Sequence, residues 1–136
     1  PERMTVAKAK AKLDKIFSQF IRLRAVNDEG WGECFTCGRL RHYKSADAGH
    51  FMVRQKMPTR FDELNVQFQC KACNGFEGGA QYEFAKRLDE EHGEGTADRL
   101  VRLSNETKRF SVHELEDLCK IYRAKVNELK AQKGLE

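Results

Sequence analysis

The sequence contains no long apolar run, no signal-peptide pattern, and no internal repeat or low-complexity tract. A membrane-crossing helix needs about 18 or more consecutive apolar residues, so the sequence predicts no such helix. Without a secretion signal, the expected compartment is the cytosol. The 136 residues, 34% charged and 40% hydrophobic, suffice for one globular domain and make a second one improbable. We therefore expect a single domain over residues 5–136.

Charge is distributed unevenly along the chain. Residues 1–60 hold 13 Lys/Arg and 6 Asp/Glu, a net charge of +7, whereas the remainder holds 12 and 15, a net charge of −3. A basic first half is typical of a protein that binds a polyanion. The alternative is a solvated lysine face that binds nothing in particular, and charge alone does not decide between the two.

Four of the five cysteines form two C-x-x-C pairs, Cys34/Cys37 and Cys70/Cys73. Two pairs at this separation predict a tetrahedral zinc site in which each pair supplies two thiolates. Two disulfides are disfavoured in a cytosolic protein, and a redox C-x-x-C would not need a second copy. The fifth cysteine, Cys119, lies in a helical apolar pattern and is predicted to be a small core residue.

Apolar spacing predicts helices at both ends of the chain. Residues 5–24 are predicted to form a basic amphipathic helix, because apolar residues recur there at helical spacing. Further helices are predicted at 81–92 and within 96–131. In the last of these, Ser111 is the predicted N-cap and Glu114 completes a capping box.

The middle of the chain, residues 31–92, is predicted to be the core of an α+β fold. Residues 46–53 and 61–68 favour two short strands, joined into a hairpin by a turn at Pro58. A hairpin followed by a helix and pinned by zinc is the ββα-metal scaffold of HNH nucleases. The predicted fold is thus a zinc-stapled, HNH-like ββα core with flanking N- and C-terminal helices.

Three polar residues of this core match the HNH pattern, namely His50, Asn65 and Asn74. Phosphodiester hydrolysis needs a base that activates water and a cation that stabilises charge on the phosphate. His50 is the predicted general base, Asn65 the residue that orients it through side-chain hydrogen bonds, and Asn74 an oxygen ligand to Mg²⁺ or Mn²⁺. The alternatives are a core-edge histidine at His50, and turn formation or helix capping at the two asparagines.

The position before the histidine departs from the wider HNH pattern. Many of those enzymes carry a metal-binding aspartate there, whereas this chain carries Gly49. Asp47 is the nearest carboxylate and is predicted to be the second cation ligand, which it reaches either through a β-bulge at Gly49 or by extending its carboxylate forward along the strand. Glu77 is the competing candidate.

Several segments resemble the NinG or Rap recombination proteins of lambda-like phages. They are “CFTCG”, “DAGHF”, “RFDELNVQFQCKACN” and “RFSVHELEDLCKIYRAKVNEL”, which together span most of the chain from Cys34 to Leu129. The resemblance implies a structure-specific endonuclease that cuts branched recombination intermediates, such as Holliday junctions and D-loops. If the chain is encoded by a phage or prophage, its compartment is the cytoplasm of the bacterial host.

The protein is predicted to bind DNA through its basic residues and to form a homodimer. The predicted DNA contacts are Lys8, Lys12, Lys15, Arg54 and Lys56. A homodimer is expected because a four-way junction must be cut twice, and the apolar faces of the first and last helices are the candidate contact. The alternative is a non-catalytic zinc-stabilised module that binds DNA or a protein partner and has no need of a divalent ion.

Overall fold

Two long helices, α1 (Val6–Arg24) and α5 (Val112–Lys133), pack against each other in the computed structural model, which describes residues 3–136. Phe17 of α1 meets Tyr122 of α5 edge-on, with ring centroids 4.9 Å apart. The Ser111 and Glu114 capping box starts α5 as predicted. Because the apolar faces of the two helices cover each other within one chain, the prediction that these faces are open for a dimer contact is wrong.

The central strand pair consists of β3 (Ala46–His50) and β4 (Val66–Cys70), which run antiparallel. A smaller hairpin precedes it, formed by β1 (Trp31–Glu33) and β2 (Leu40–His42) around the first cysteine pair. The predicted α+β class is confirmed. The smaller hairpin was not predicted, because three-residue strands leave no readable alternation.

The connection between β3 and β4 differs from the predicted tight turn. Strand β3 ends at His50 rather than at residue 53, and β4 begins at Val66 rather than at residue 61. Pro58 lies in the first turn of a short helix, α2 (Met57–Arg60), where its missing N–H has no cost. After α2 the Asp62 carboxylate accepts hydrogen bonds from the backbone of residues 64 and 65, which makes a turn of that segment instead of a strand.

The predicted bulge at Gly49 is absent, because β3 and β4 pair without interruption from Ala46 opposite Cys70 to His50 opposite Val66. The glycine has another role. A Cβ built at Gly49 would lie 1.7 Å from Oε1 of Gln69, so the Gln69 side chain occupies the space that any other residue would need. Gly49 is therefore required by a close approach between the two strands.

Helices α3 (Gln81–His92) and α4 (Thr96–Ser104) form a second, smaller core beside the first cysteine pair. Its buried members include Phe35, Phe51 and Phe84, so this core holds the first cysteine pair and the end of β3 against α3. None of the helices within residues 3–136 combines the length and apolarity that a membrane crossing requires.

Candidate metal centre and adjoining cleft

The four paired cysteines converge on one point. The sulfur atoms of Cys34, Cys37, Cys70 and Cys73 all lie within 4.8 Å of one another, and the Cys37 and Cys70 sulfurs are 3.7 Å apart. Zn–S bonds of about 2.3 Å in a tetrahedron place the sulfurs roughly 3.8 Å apart, so this donor set fits a structural zinc ion. All five cysteines are free thiols, which rules out the disulfide alternative in this structure.

Local hydrogen bonds shape the two cysteine turns. In the first, the Gly38 N–H donates to the Cys34 carbonyl over 2.9 Å, with Gly38 in the left-handed region at φ +79°. Burial opposes ionisation of Cys34, but hydrogen bonds from the Thr36 hydroxyl and from backbone N–H groups lower its pKa to about 6. Cys119 lies in the α1–α5 core, where burial raises the pKa of its thiol, and its predicted core role is confirmed.

Beside this centre lies a cleft of about 710 Å³ between α1, β3 and the turn that follows β4. His50, Asp47 and Asn74 all line it, so three of the predicted site residues share one cavity. The cationic residues on its walls are Arg22, Lys44, Arg54 and Lys71. These four cations outnumber the two carboxylates of the cleft, Asp14 and Asp47, so the net positive charge of its walls favours an anionic ligand.

His50 enters this cleft from the end of β3 and is held by the backbone of α2. Its Nε2 lies 3.1 Å from the Arg60 carbonyl oxygen. A carbonyl can only accept, so Nε2 carries the proton and Nδ1 of the neutral ring keeps its lone pair. Burial lowers the pKa of His50, although the hydrogen bond to Arg60 and the charge of Asp14 oppose the shift. The ring is therefore neutral at pH 7.

Asn65 is fully buried and holds the segment that carries this carbonyl. Its Oδ1 accepts from the Met52 N–H over 2.8 Å, and its Nδ2 donates to the carbonyls of Met52 and Thr59 over 3.1 and 3.0 Å. Thr59 directly precedes Arg60, which receives the His50 bond. Asn65 thus ties the backbone that follows β3 to α2 and makes no hydrogen bond to the His50 ring itself.

Asp47 and Asn74 are joined side chain to side chain. Nδ2 of Asn74 donates to Oδ2 of Asp47 over 3.0 Å, and Nζ of Lys71 lies 2.7 Å from Oδ1. Asn74 lies in a single wide helical turn of π type (Ala72–Phe76) and not at the start of a long helix. Glu77, the competing ligand candidate, is exposed just after that turn and is not among the described residues that line the cleft.

The predicted DNA-binding residues separate into two groups. Arg54 lines the cleft, and Lys15 lines a smaller depression that shares Arg54 with it. Lys8 and Lys12 lie on the exposed side of α1 outside both cavities, and the Lys56 ammonium donates to Asn105 over 3.3 Å. Arg22 belongs to the basic face of the first helix, which the sequence marks as a possible path for a phosphate backbone, and it lines the cleft. Sequence reasoning missed Lys44 and Lys71, and the basic charge of the first 60 residues was the only signal for Lys44.

Gln69 connects the cysteine centre to the cleft and was also missed. It is fully buried, and its Nε2 donates to Thr36 Oγ1 over 3.1 Å and to the Gly79 carbonyl over 3.0 Å. The Thr36 hydroxyl contacts the Cys34 sulfur, and Gly79 lines the cleft. The Oε1 atom of Gln69 is buried with no hydrogen-bond partner in the described part of the chain. Gln69 alternates with apolar residues in β4 just as Gln67 does, so no sequence signal marked its burial.

Comparison with known proteins gives one consistent result. The family model described as Bacteriophage Lambda NinG protein matches residues 5–132. “Protein ninG” of Escherichia phage 933W is 30% identical over 98 residues, which cover 71% of this chain and 48% of that protein. “Protein ninG” of Escherichia phage lambda is 28% identical over 98 residues, covering 71% and 47%. The chain spans about half the length of these curated relatives. No solved structure matches it.

Proposed function

The chain belongs to the family of the bacteriophage lambda NinG protein, and on that premise we propose that it is an HNH-type, metal-dependent endonuclease that cuts branched DNA. One observation carries the proposal: His50, Asp47 and Asn74 line one cleft that four cationic residues also line. Phosphodiester hydrolysis needs a base, a cation site and attraction for phosphates. These residues have the chemistry for all three.

The order of elements supports an HNH-like core. Strands β3 and β4 form an antiparallel pair, the turn with Asn74 follows, and α3 completes a strand–strand–helix sequence. The cysteine centre lies where β4 meets that turn. A structural zinc ion there would fix Asn74, one residue beyond the last thiolate, relative to Asp47 and to His50 on the neighbouring strand.

His50 is the general base in this proposal. Because Nε2 is engaged by the Arg60 carbonyl, Nδ1 is the atom that takes a proton from the attacking water. The lowered pKa keeps Nδ1 unprotonated at neutral pH. Asn65 acts as a positioning residue, because it holds the carbonyl of Thr59 and so the backbone to which the imidazole is bonded.

Asp47 and Asn74 are the residues that would hold the divalent ion. A carboxylate and an amide oxygen are hard donors that suit Mg²⁺ or Mn²⁺. When bound, such an ion stabilises the negative charge that develops on the phosphate and on the departing oxygen. Lys71 has to release Asp47 first, and a side chain that is 66% exposed can move into solvent to do so.

The proposal includes branched DNA as the substrate, a homodimer as the active form and the bacterial cytoplasm as the compartment. A phosphate backbone would follow the cations of the cleft, with Arg54 and Lys15 extending the path onto α1. A twofold dimer would cut the two arms of a junction symmetrically. Since α1 and α5 cover each other, the dimer contact has to come from another surface.

A second candidate function is a non-catalytic zinc module that binds DNA or a protein partner. The pairing of Asp47 favours it, because both carboxylate oxygens already have partners in Lys71 and Asn74. In that case the pair is a structural bridge between β3 and the turn after β4. The cysteine centre and the basic cleft would remain, and no divalent ion would be needed.

The deciding experiment compares cutting of a labelled four-way junction and a matched linear duplex by the zinc-loaded protein, with and without Mg²⁺. We expect Mg²⁺-dependent cutting of the junction. His50→Ala should reduce the single-turnover rate by about 10²- to 10⁴-fold and leave junction binding intact. His113→Ala is the matched control, since His113 is exposed on α5 away from the cleft. Full cutting by folded His50→Ala would reject the nuclease mechanism in favour of the binding module.

A further inference from the structure

The turn after Asn74 presents an aromatic ring to solvent. Phe76 is 95% exposed, more than the other exposed large hydrophobic residues of the described chain, and residues 75–78 are all exposed. A second aromatic, Tyr82, is 76% exposed at the start of α3. An exposed phenylalanine forgoes the stabilisation that burial would give, so two such rings six residues apart in the chain indicate a binding surface.

This turn is held in a defined shape despite its exposure. The Glu77 N–H donates to the Ala72 carbonyl and the Gly79 N–H to the Cys73 carbonyl, both over 2.9 Å. Gly79 is also held by the Gln69 side chain. Because Cys73 belongs to the cysteine centre, the ring of Phe76 is carried by backbone that is fixed at both ends. Because this backbone is already ordered, binding through Phe76 has only the side-chain rotamer left to fix.

Both rings are carried by backbone that borders the proposed nuclease cleft, although neither ring lines it. Phe76 lies between Asn74 and Gly78, which line the cleft, and Tyr82 follows Gln81, which lines it as well. The exposed side chain of Val53 adds apolar surface to the same cavity. The aromatic surface, defined as Phe76 and Tyr82, therefore lies next to the residues proposed to act on a phosphodiester.

Charge indicates what the aromatic surface contacts. Residues 72–85 contain no Lys or Arg, and Glu77 beside Phe76 repels phosphate. The cations lie in the cleft instead, so we place the sugar–phosphate backbone there. The part of DNA that an uncharged aromatic ring can contact favourably is the flat face of a base. Bases in a continuous duplex are stacked and closed to such contact. Bases at a branch point can be unstacked and reached.

We propose that Phe76 stacks on an unstacked base at the branch point of DNA held in the cleft, with Tyr82 as a second stacking surface. This inference rests on the proposed function, because it takes DNA as the ligand of the cleft. It supplies a physical basis for preferring branched over linear DNA, since linear duplex offers the ring no open base. Stacking is tolerant of sequence because every base has a π face, so the preference is for structure.

The test measures binding without added divalent ion, so that no strand is cut, with the zinc-loaded protein and 2-aminopurine at the branch point of a four-way junction. A linear duplex with 2-aminopurine in the same sequence is the comparison. We expect Phe76→Ala to weaken junction binding roughly 5- to 100-fold and duplex binding less than about twofold. The rise in 2-aminopurine fluorescence on junction binding should be lost, and Phe76→Trp should keep both. Ile121→Ala, which removes another exposed side chain on α5, should change neither.

The outcomes separate this inference from the proposed function. Wild-type affinity and fluorescence in Phe76→Ala would overturn the stacking role while the nuclease proposal stands on its own cutting assay, and the ring would then serve a protein contact. An equal loss on junction and duplex would also overturn it, because the contact would not depend on open bases. If the wild-type protein binds neither DNA, the proposed function fails and the inference fails with it.

Discussion

Gly49→Ala perturbs the contact that links the cysteine centre to the cleft. The added methyl group would lie 1.7 Å from Oε1 and 2.6 Å from Cδ of Gln69, so the Gln69 side chain has to leave its position. Leaving breaks the hydrogen bonds of Nε2 to Thr36 and to Gly79. A buried polar group left without a partner costs about 1–3 kcal/mol, and overpacking costs about as much. We expect a loss of about 2–5 kcal/mol in the free energy of unfolding.

The assay is urea unfolding of the zinc-loaded protein at a fixed zinc concentration. Gly75→Ala is the matched control, because nothing lies within 4 Å of a Cβ at that position, and its effect should stay within about 0.5 kcal/mol. The double variant Gly49→Ala/Gln69→Ala removes the clash. It should therefore be more stable than the sum of the single losses by about 1–3 kcal/mol.

Two results would refute this reasoning. One is a Gly49→Ala protein as stable as the wild type, which would mean that Gln69 moves without cost and its hydrogen bonds contribute nothing. The other is strict additivity in the double variant, which would mean that the two residues do not compete for the same space. Either result would remove Gln69 as a connection between the cysteine centre and the cleft.

Four further predictions follow from the same geometry. Chelation should release one zinc ion per chain and unfold the core, because a structural zinc site supplies folding free energy on the order of 10 kcal/mol. An unchanged melting transition after zinc removal would contradict the site. Asn74→Ala should raise the Mg²⁺ concentration needed for half-maximal cutting and regain rate at high Mg²⁺, and a rate loss that ignores Mg²⁺ would argue against a ligand role. Because burial lowers the pKa of His50, the single-turnover rate should rise with pH and reach half its plateau below pH 6.5, so a midpoint above that value would exclude this base. Arg54→Gln should reduce the salt dependence of DNA binding by a slope of about 0.9, and Lys12→Gln, outside the cleft, should leave it unchanged.

Features that depend on neighbouring residues could be predicted from the sequence. The helical spacing of 5–24 predicted α1 to within a residue, and Ser111 with Glu114 predicted the start of α5, because helix periodicity and capping are local. The two cysteine pairs predicted the four-sulfur centre, since C-x-x-C spacing already commits both thiolates of a pair to one side of a turn.

Features that depend on contacts across the chain were decided by the tertiary structure alone. The apolar face of α5 could have been covered within the chain or by a second copy, and only the tertiary structure shows that α1 covers it, so the expected dimer contact was lost. Gly49 suggested a bulge, whereas the structure requires a glycine there because the side chain of Gln69, on the neighbouring strand, fills the space of a Cβ. The position of His50 in the sequence did not indicate what its imidazole bonds to. The partner is the carbonyl oxygen of Arg60 in α2. The sequence by itself determined the long helices and the residue types that meet at the cysteines. The packing of distant segments decided which cations line the cleft and which atom of His50 remains free, because such contacts depend on distances in space that local periodicity does not encode.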